Sequence, residues 1–197
     1  MAEASRRIPE APSLDAHVKC LAQALIPSCL FPHPETVKAI NGNVFPTIRA
    51  RKGSPRLTLN PEGTGMFDDN TTPRWALLWA HGYAQTDHPK GWTVAHVWTD
   101  ADEISAYTNL ANLALVPEFL GSLTDKQSPL APFLQWHTWD NYGWRSGKFP
   151  VPEKPEGYDA LAWNYFEPCR DPWGAIHRRM KGLVNARVRI LGPLMAL

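Results

Sequence analysis

Between Gly91 and Pro117 the chain reads GWTVAHVWTDADEISAYTNLANLALVP, and this stretch sets the tightest limit on the fold. Trp92, Val94, His96 and Trp98 alternate with Thr93, Ala95 and Val97, the two-residue period of a strand. Leu110 to Val116 supplies a second short apolar strand, and the loop between the two carries Asp100, Asp102 and Glu103. Pro117 suits the start of a new element, where a missing N–H costs least. Phe119, Leu120 and Leu123 then recur at helical spacing.

A strand ending near a His, a loop, a second strand carrying an Asn, and a following helix resembles the HNH, or ββα-metal, nucleases. The resemblance rests on "AHVW" and "NLALVP" and covers residues 91–125. It implies a metal-dependent endonuclease that hydrolyses phosphodiester bonds in DNA. His96 would be the general base and Asn112 would hold the ring or a metal-bound group. An acidic ligand would come from Asp125, or from Asp68 or Asp69. A hard oxygen set of this kind favours Mg²⁺ or Mn²⁺ over zinc. Ala95 stands where the family usually carries Asp or His, and the expected helix has no His. These departures define the alternative: a catalytically inactive nuclease-like protein that binds nucleic acid or another protein, including a second copy of itself.

Charge supports a polyanion partner. Arg49, Arg51, Lys52 and Arg56 form one basic cluster, and Arg170, Arg178, Arg179, Lys181, Arg187 and Arg189 form another, although the formal net charge is only +1. Arg49, Arg51 and Lys52 are expected to share a nucleic-acid-binding surface with Arg178, Arg179 and Lys181. Solvated surface is the plainer role for clusters this small.

The 19 prolines argue for irregular wrapping segments rather than a regular bundle. Nine tryptophans imply either a core with polar contacts or an exposed stacking surface. At 44% hydrophobic and 20% charged residues, the composition excludes a disordered chain. Three cysteines without CxxC spacing suit a reducing cytoplasm and give no zinc motif. No run is apolar and long enough to span a membrane. The expectation is a disordered tail over 1–12 and one α+β domain over 13–197. Within it, a small antiparallel hairpin and helix sit inside a helical, coil-rich shell.

Along that domain the apolar spacing predicts a helix over Leu14–Leu25 and a further helical turn or two over Glu35–Ile40. Val44–Ile48 reads as a strand. Asp68-Asp69-Asn70-Thr71-Thr72-Pro73 is a strong helix start, ended near Gly82; capping is the simpler use of the two aspartates. A Trp-rich helix from Pro132 ends at Gly143, and His137 and Asp140 share one of its faces and can pair. Residues 149–168 should wrap the body, pinned by Phe149, Tyr158, Trp163 and Tyr165. Trp173 to Ile190 reads as a final basic helix. His96 and Asn112 also admit a structural role, as a core histidine with a hydrogen-bond partner and an amide satisfying backbone groups.

Overall fold

The computed structural model describes residues 14–50, 55–124 and 128–196. The expected tail over 1–12 lies outside these residues, as do Arg51, Lys52 and Asp125.

The architecture is α+β. A four-stranded sheet runs in the order β4 (Trp92–His96), β5 (Leu113–Pro117), β1 (Leu30–Phe31), β6 (Asn164–Tyr165). The expected hairpin is its outer half: β4 and β5 pair antiparallel, with Trp92 opposite Pro117 and His96 opposite Leu113. β1 adds antiparallel to β5, and β6 adds parallel to β1. A separate parallel pair joins β2 (Thr47–Arg49) to β3 (Met66–Asp68).

All five residues of β5 are buried, which the alternation of two apolar faces explains. Leu113 and Leu115 enter a cluster with Trp75, Leu77 and Trp79 of α3 (Thr71–Ala80) and Ile176 of α6 (Pro172–Lys181). Ala114 and Val116 enter a second cluster with Ala22 of α1 (Leu14–Leu25) and Phe133 and Leu134 of α5 (Ala131–Tyr142). The sheet is therefore covered on both sides. β4 obeys the same alternation: Trp92 and Val94 pack against the first cluster, Ala95 and Val97 against the second.

Several boundaries differ from the sequence reading. The strand ends at His96, and Trp98 turns into the same cluster as Val97 instead of continuing the alternation. The second strand begins at Leu113; Leu110–Asn112 is a 3₁₀ turn, because the Asn109 Oδ1 accepts from the Ala111 N–H at 3.0 Å and ends the extended run. Glu118–Thr124 is 3₁₀ rather than α-helix. The strand expected over 44–48 begins at Thr47. The single C-terminal helix is two: Lys181 ends α6, and Asn185 caps α7 (Ala186–Leu194) by accepting from the Val188 N–H at 2.9 Å. Leu21, one of the apolar residues whose spacing predicts α1, is 43% exposed.

Elsewhere the local chemistry is as read. Asp68 Oδ2 accepts from both the N–H and the hydroxyl of Thr72 at 2.8 Å, which secures the first turn of α3. Gly82 at φ 83° takes the chain out of that helix, and Gly143 at φ 63° does the same after α5. Phe149, Tyr158, Trp163 and Tyr165 all pack on the second cluster, so the proline-rich segment does wrap the body. Among the described residues no helix is long and apolar enough to cross a membrane.

Candidate functional site

β4 is an edge strand, and a furrow runs along it. A cavity of about 270 Å³ beside β4 is lined by His96, Ala95, Val94 and Thr93, with Arg49 of β2, Asn70 and Thr99. Arg49, Thr99 and Ala101 also line a second cavity, of about 350 Å³, at the Asp100–Lys148 end. Asn70, Thr93 and Val94 also line a third, of about 470 Å³, with Arg74, His88, Lys90, Trp92 and Glu118. The shared lining residues place the three cavities next to one another along β4.

His96 is half-buried in its wall. Its Nε2 lies 3.0 Å from the carbonyl oxygen of Tyr107. A carbonyl only accepts, so Nε2 carries the proton and Nδ1 carries the lone pair. The imidazole also stacks on the Tyr107 ring, with centroids 5.2 Å apart and planes 7° from parallel. Burial is the main cause holding its pKa down at about 4; the Tyr107 carbonyl opposes this, and the positive charge of Arg49 adds to it. The ring is neutral at pH 7.

Tyr107 does a third job. Its hydroxyl donates to Asn70 Oδ1 at 2.9 Å and accepts from the Asn70 N–H at 2.9 Å, tying the β4–β5 loop to the entry of α3. Tyr107, the last residue of the short helix Ile104–Tyr107, carries no motif in the sequence; its one signal is a lone tyrosine between acidic residues and an Asn-rich turn.

Asn112 is elsewhere. It is fully buried, accepts from the Trp98 N–H at 2.7 Å and donates to the Ala106 carbonyl at 3.0 Å. Its amide is thus spent on two backbone groups that the bend at 97–98 and the loop leave without ladder partners. The structure brings His96 together with Arg49, Asn70 and Thr99 rather than with Asn112.

Among the described residues no group of three or more His, Cys, Asp or Glu is arranged to hold a metal ion. The neighbours of His96 offer a guanidinium, an amide and a hydroxyl, which do not fit Mg²⁺ or Mn²⁺, ions that take anionic oxygens. Asp68 and Asp69 are engaged by Arg187 of α7, at 2.8 and 2.5 Å. No step through a metal is derived from this donor set.

Of the basic residues, Arg49 is exposed at the furrow, whereas Arg178 and Arg179 line a different cavity, between the end of α3 and α6. The two cavities have no lining residue in common. Lys181 is exposed in the last turn of α6. Within the other acidic group, Asp100 is buried, accepts from Ser146 Oγ, and is paired with Lys148 Nζ at 2.6 Å. Lys148 also reaches Asp102 at 3.3 Å and Glu103 at 2.9 Å. These carboxylates hold the 143–149 segment to the loop.

His137 does not pair with Asp140. It is fully buried and stacks on Trp163 with centroids 3.6 Å apart. Nδ1 meets the Tyr158 hydroxyl at 2.9 Å and Nε2 the Tyr165 hydroxyl at 3.2 Å. His81 is likewise locked, with Nδ1 donating to the Leu77 carbonyl at 2.7 Å and Nε2 accepting from the His33 N–H at 3.1 Å. Burial depresses the pKa of His81 to about 4 and of His137 to about 3. With His96 these make three rings that bind protons less readily folded than unfolded. Between pH 6.5 and about 4 the unfolded chain holds more protons, so stability falls as pH falls through that window. Each ring contributes a slope of up to about 1.4 kcal/mol per pH unit. Urea midpoints measured from pH 7 to 4 should drop steeply below 6.5, and His137→Gln should flatten the curve. A flat profile would contradict the buried neutral rings.

The family models, the characterised proteins and the solved structures contain no match to this chain.

Proposed function

We propose that the furrow along β4 binds nucleic acid and that the chain is a nuclease-like binding protein rather than a metal-dependent nuclease. The observation that carries this reading is a row of adjacent cavities lined by three cations unopposed by ion pairs. Among the described residues no carboxylate pairs with Arg49, Arg74 or Lys90, although all three line it. Its acids Asp69, Asp100 and Asp102 are held by Arg187 and Lys148, although Lys148 is shared with Glu103 and Arg187 with Asp68, so the Asp100–Lys148 end keeps an excess of negative charge; Glu118 lies with Arg74 and Lys90. Phe119, 73% exposed, is next to Glu118, and Trp92, half-buried, lines one of the cavities, so aromatic surface for base stacking is at hand.

A second reading rests on the free lone pair of His96 Nδ1: a base that takes a proton from water or a hydroxyl beside a phosphodiester steadied by Arg49. A pKa of about 4 makes that ring a weak base at neutral pH. Binding is therefore the better-supported activity.

Fluorescence anisotropy with single-stranded and duplex DNA across a salt series tests the proposal. Log affinity should fall linearly with log salt, by about 0.7–0.9 per phosphate neutralised. Replacing Arg49, Arg74 and Lys90 singly by Ala should each reduce the slope by about 1. Absence of binding at low salt, or slopes unchanged in all three variants, would refute it. DNA cleavage by the parent protein that His96→Ala abolishes at unchanged affinity would move the assignment to the second reading.

A further inference from the structure

We propose that the cavity between the end of α3 and α6 is a binding site for a small organic anion, a carboxylate or phosphate carried on an apolar body. Its volume, about 660 Å³, is in the range of small-molecule sites. Trp79, Ala175 and Leu183 supply an apolar floor, and Arg178 and Arg179 supply two adjacent guanidinium groups.

Two donors in the cavity wall lack acceptors. Arg179 Nη2 donates to the Gly82 carbonyl at 2.6 Å, which fixes the guanidinium against the cavity wall. Its Nε is buried and has no hydrogen-bond partner. The indole Nε1 of Trp79, a residue only 1% exposed, is also buried without a partner. Both N–H groups sit on residues that line one cavity, each closed off behind its wall, and such a deficit is rarely left unfilled in native proteins. A ligand oxygen approaching this wall, with modest side-chain adjustment, supplies the missing acceptor.

Charge selects an anion. Among the described residues no carboxylate pairs with Arg179. Arg178 meets Asp171 at 3.2 Å, but both side chains are largely exposed and the pair is weak. The carbonyls ending α3 and α6 both oppose an anion through the helix dipoles, and the two guanidinium groups outweigh these two half-charges. The indole and aliphatic floor favours a planar or aliphatic body over a bare inorganic ion. This site is independent of the β4 furrow.

The test follows the Trp79 indole N–H by ¹⁵N NMR of the full chain, assigned with Trp79→Phe. Phenyl phosphate and benzoate are the probes; benzamide and inorganic phosphate are the controls. Both probes should move the Trp79 signal saturably with a Kd below about 1 mM, at least tenfold tighter than either control. Arg179→Lys, which keeps the charge and loses Nε, should weaken phenyl phosphate at least tenfold. An unmoved Trp79 signal at about 10 mM probe, ten times that limit, would overturn the proposal. So would an equal response to benzamide or to inorganic phosphate. Full affinity in a folded Arg179→Lys variant would also overturn it; if that variant does not fold, the benzoate–benzamide comparison decides alone. A short oligonucleotide should leave Trp79 unmoved, and a matching shift would make the cavity part of the nucleic-acid path and end the small-anion assignment.

Discussion

Asp68→Ala is expected to be the most damaging single substitution, lowering unfolding free energy by about 3–5 kcal/mol. Asp68 is fully buried and accepts three hydrogen bonds, two from Thr72 and one from Arg187 Nε. Its loss strips the first turn of α3 and leaves the Arg187 guanidinium, on a side chain 14% exposed, with Asp69 as its remaining partner. That cation also lies over the Trp75 ring, 5.6 Å from its centroid, so displacing it disturbs the first apolar cluster. A fall in melting temperature of about 10 °C should accompany the change. Adding Arg187→Met should recover part of the loss, because the half-paired, mostly buried guanidinium is then gone. A loss under about 1 kcal/mol, the value of a surface pair, would show that this pair is not structural.

Asn112→Ala is expected to cost about 1–3 kcal/mol, since it orphans the buried Trp98 N–H and removes one of the hydrogen bonds to the Ala106 carbonyl, which still accepts from the Thr108 and Asn109 N–H groups. Urea unfolding measures it. The comparison with His96→Ala separates scaffold from site. His96 is half-buried and makes one hydrogen bond, to the Tyr107 carbonyl, so its removal should cost about 1–2 kcal/mol. DNA affinity of Asn112→Ala, measured well below its melting point, should stay within about threefold of the parent, while Arg49→Ala weakens binding through a lost phosphate contact. An Asn112→Ala protein of unchanged stability and abolished binding would reverse the roles given to these residues.

The elements with strong local signals were legible in sequence. α1 has its predicted limits, Leu14–Leu25, because its apolar spacing needs no distant partner. The hairpin alternation held through Val97, and the Asp68–Pro73 run did start a helix. What stayed hidden depends on remote chain. β1 and β6 are two residues each and exist only because Leu30 finds both Leu115 and Asn164. β3 is Met-Phe-Asp; its last residue caps α3 locally through Thr72, but its second partner, Arg187, is distant in the chain. The break between α6 and α7 turned on Asn185 acting as a cap, which a continuous basic pattern masked. At the site, His96 could be picked out but its partners could not. Arg49, Asn70 and Tyr107 reach it from three separate segments, and Asn112, its neighbour by analogy, is used for backbone hydrogen bonds.

The position of β1 inside the sheet has a kinetic consequence. Its neighbours arrive late in the chain, and other ties in the body are as remote. Asn164 donates to the Pro27 carbonyl across 137 residues, Arg187 reaches Asp68 across 119, and the Tyr142 hydroxyl reaches the Pro32 carbonyl across 110. Loop closure on this scale must be met before the contacts return any stabilisation. Folding should therefore have the high contact order of slow, β-rich topologies, in the range of about milliseconds to seconds. During synthesis the N-terminal half can form α1 and part of its helices, yet β1 stays unpaired until β5 emerges and one-sided until β6 follows. At about 5–20 residues per second, translation keeps that edge open for seconds, the interval in which a nascent chain is most prone to aggregate.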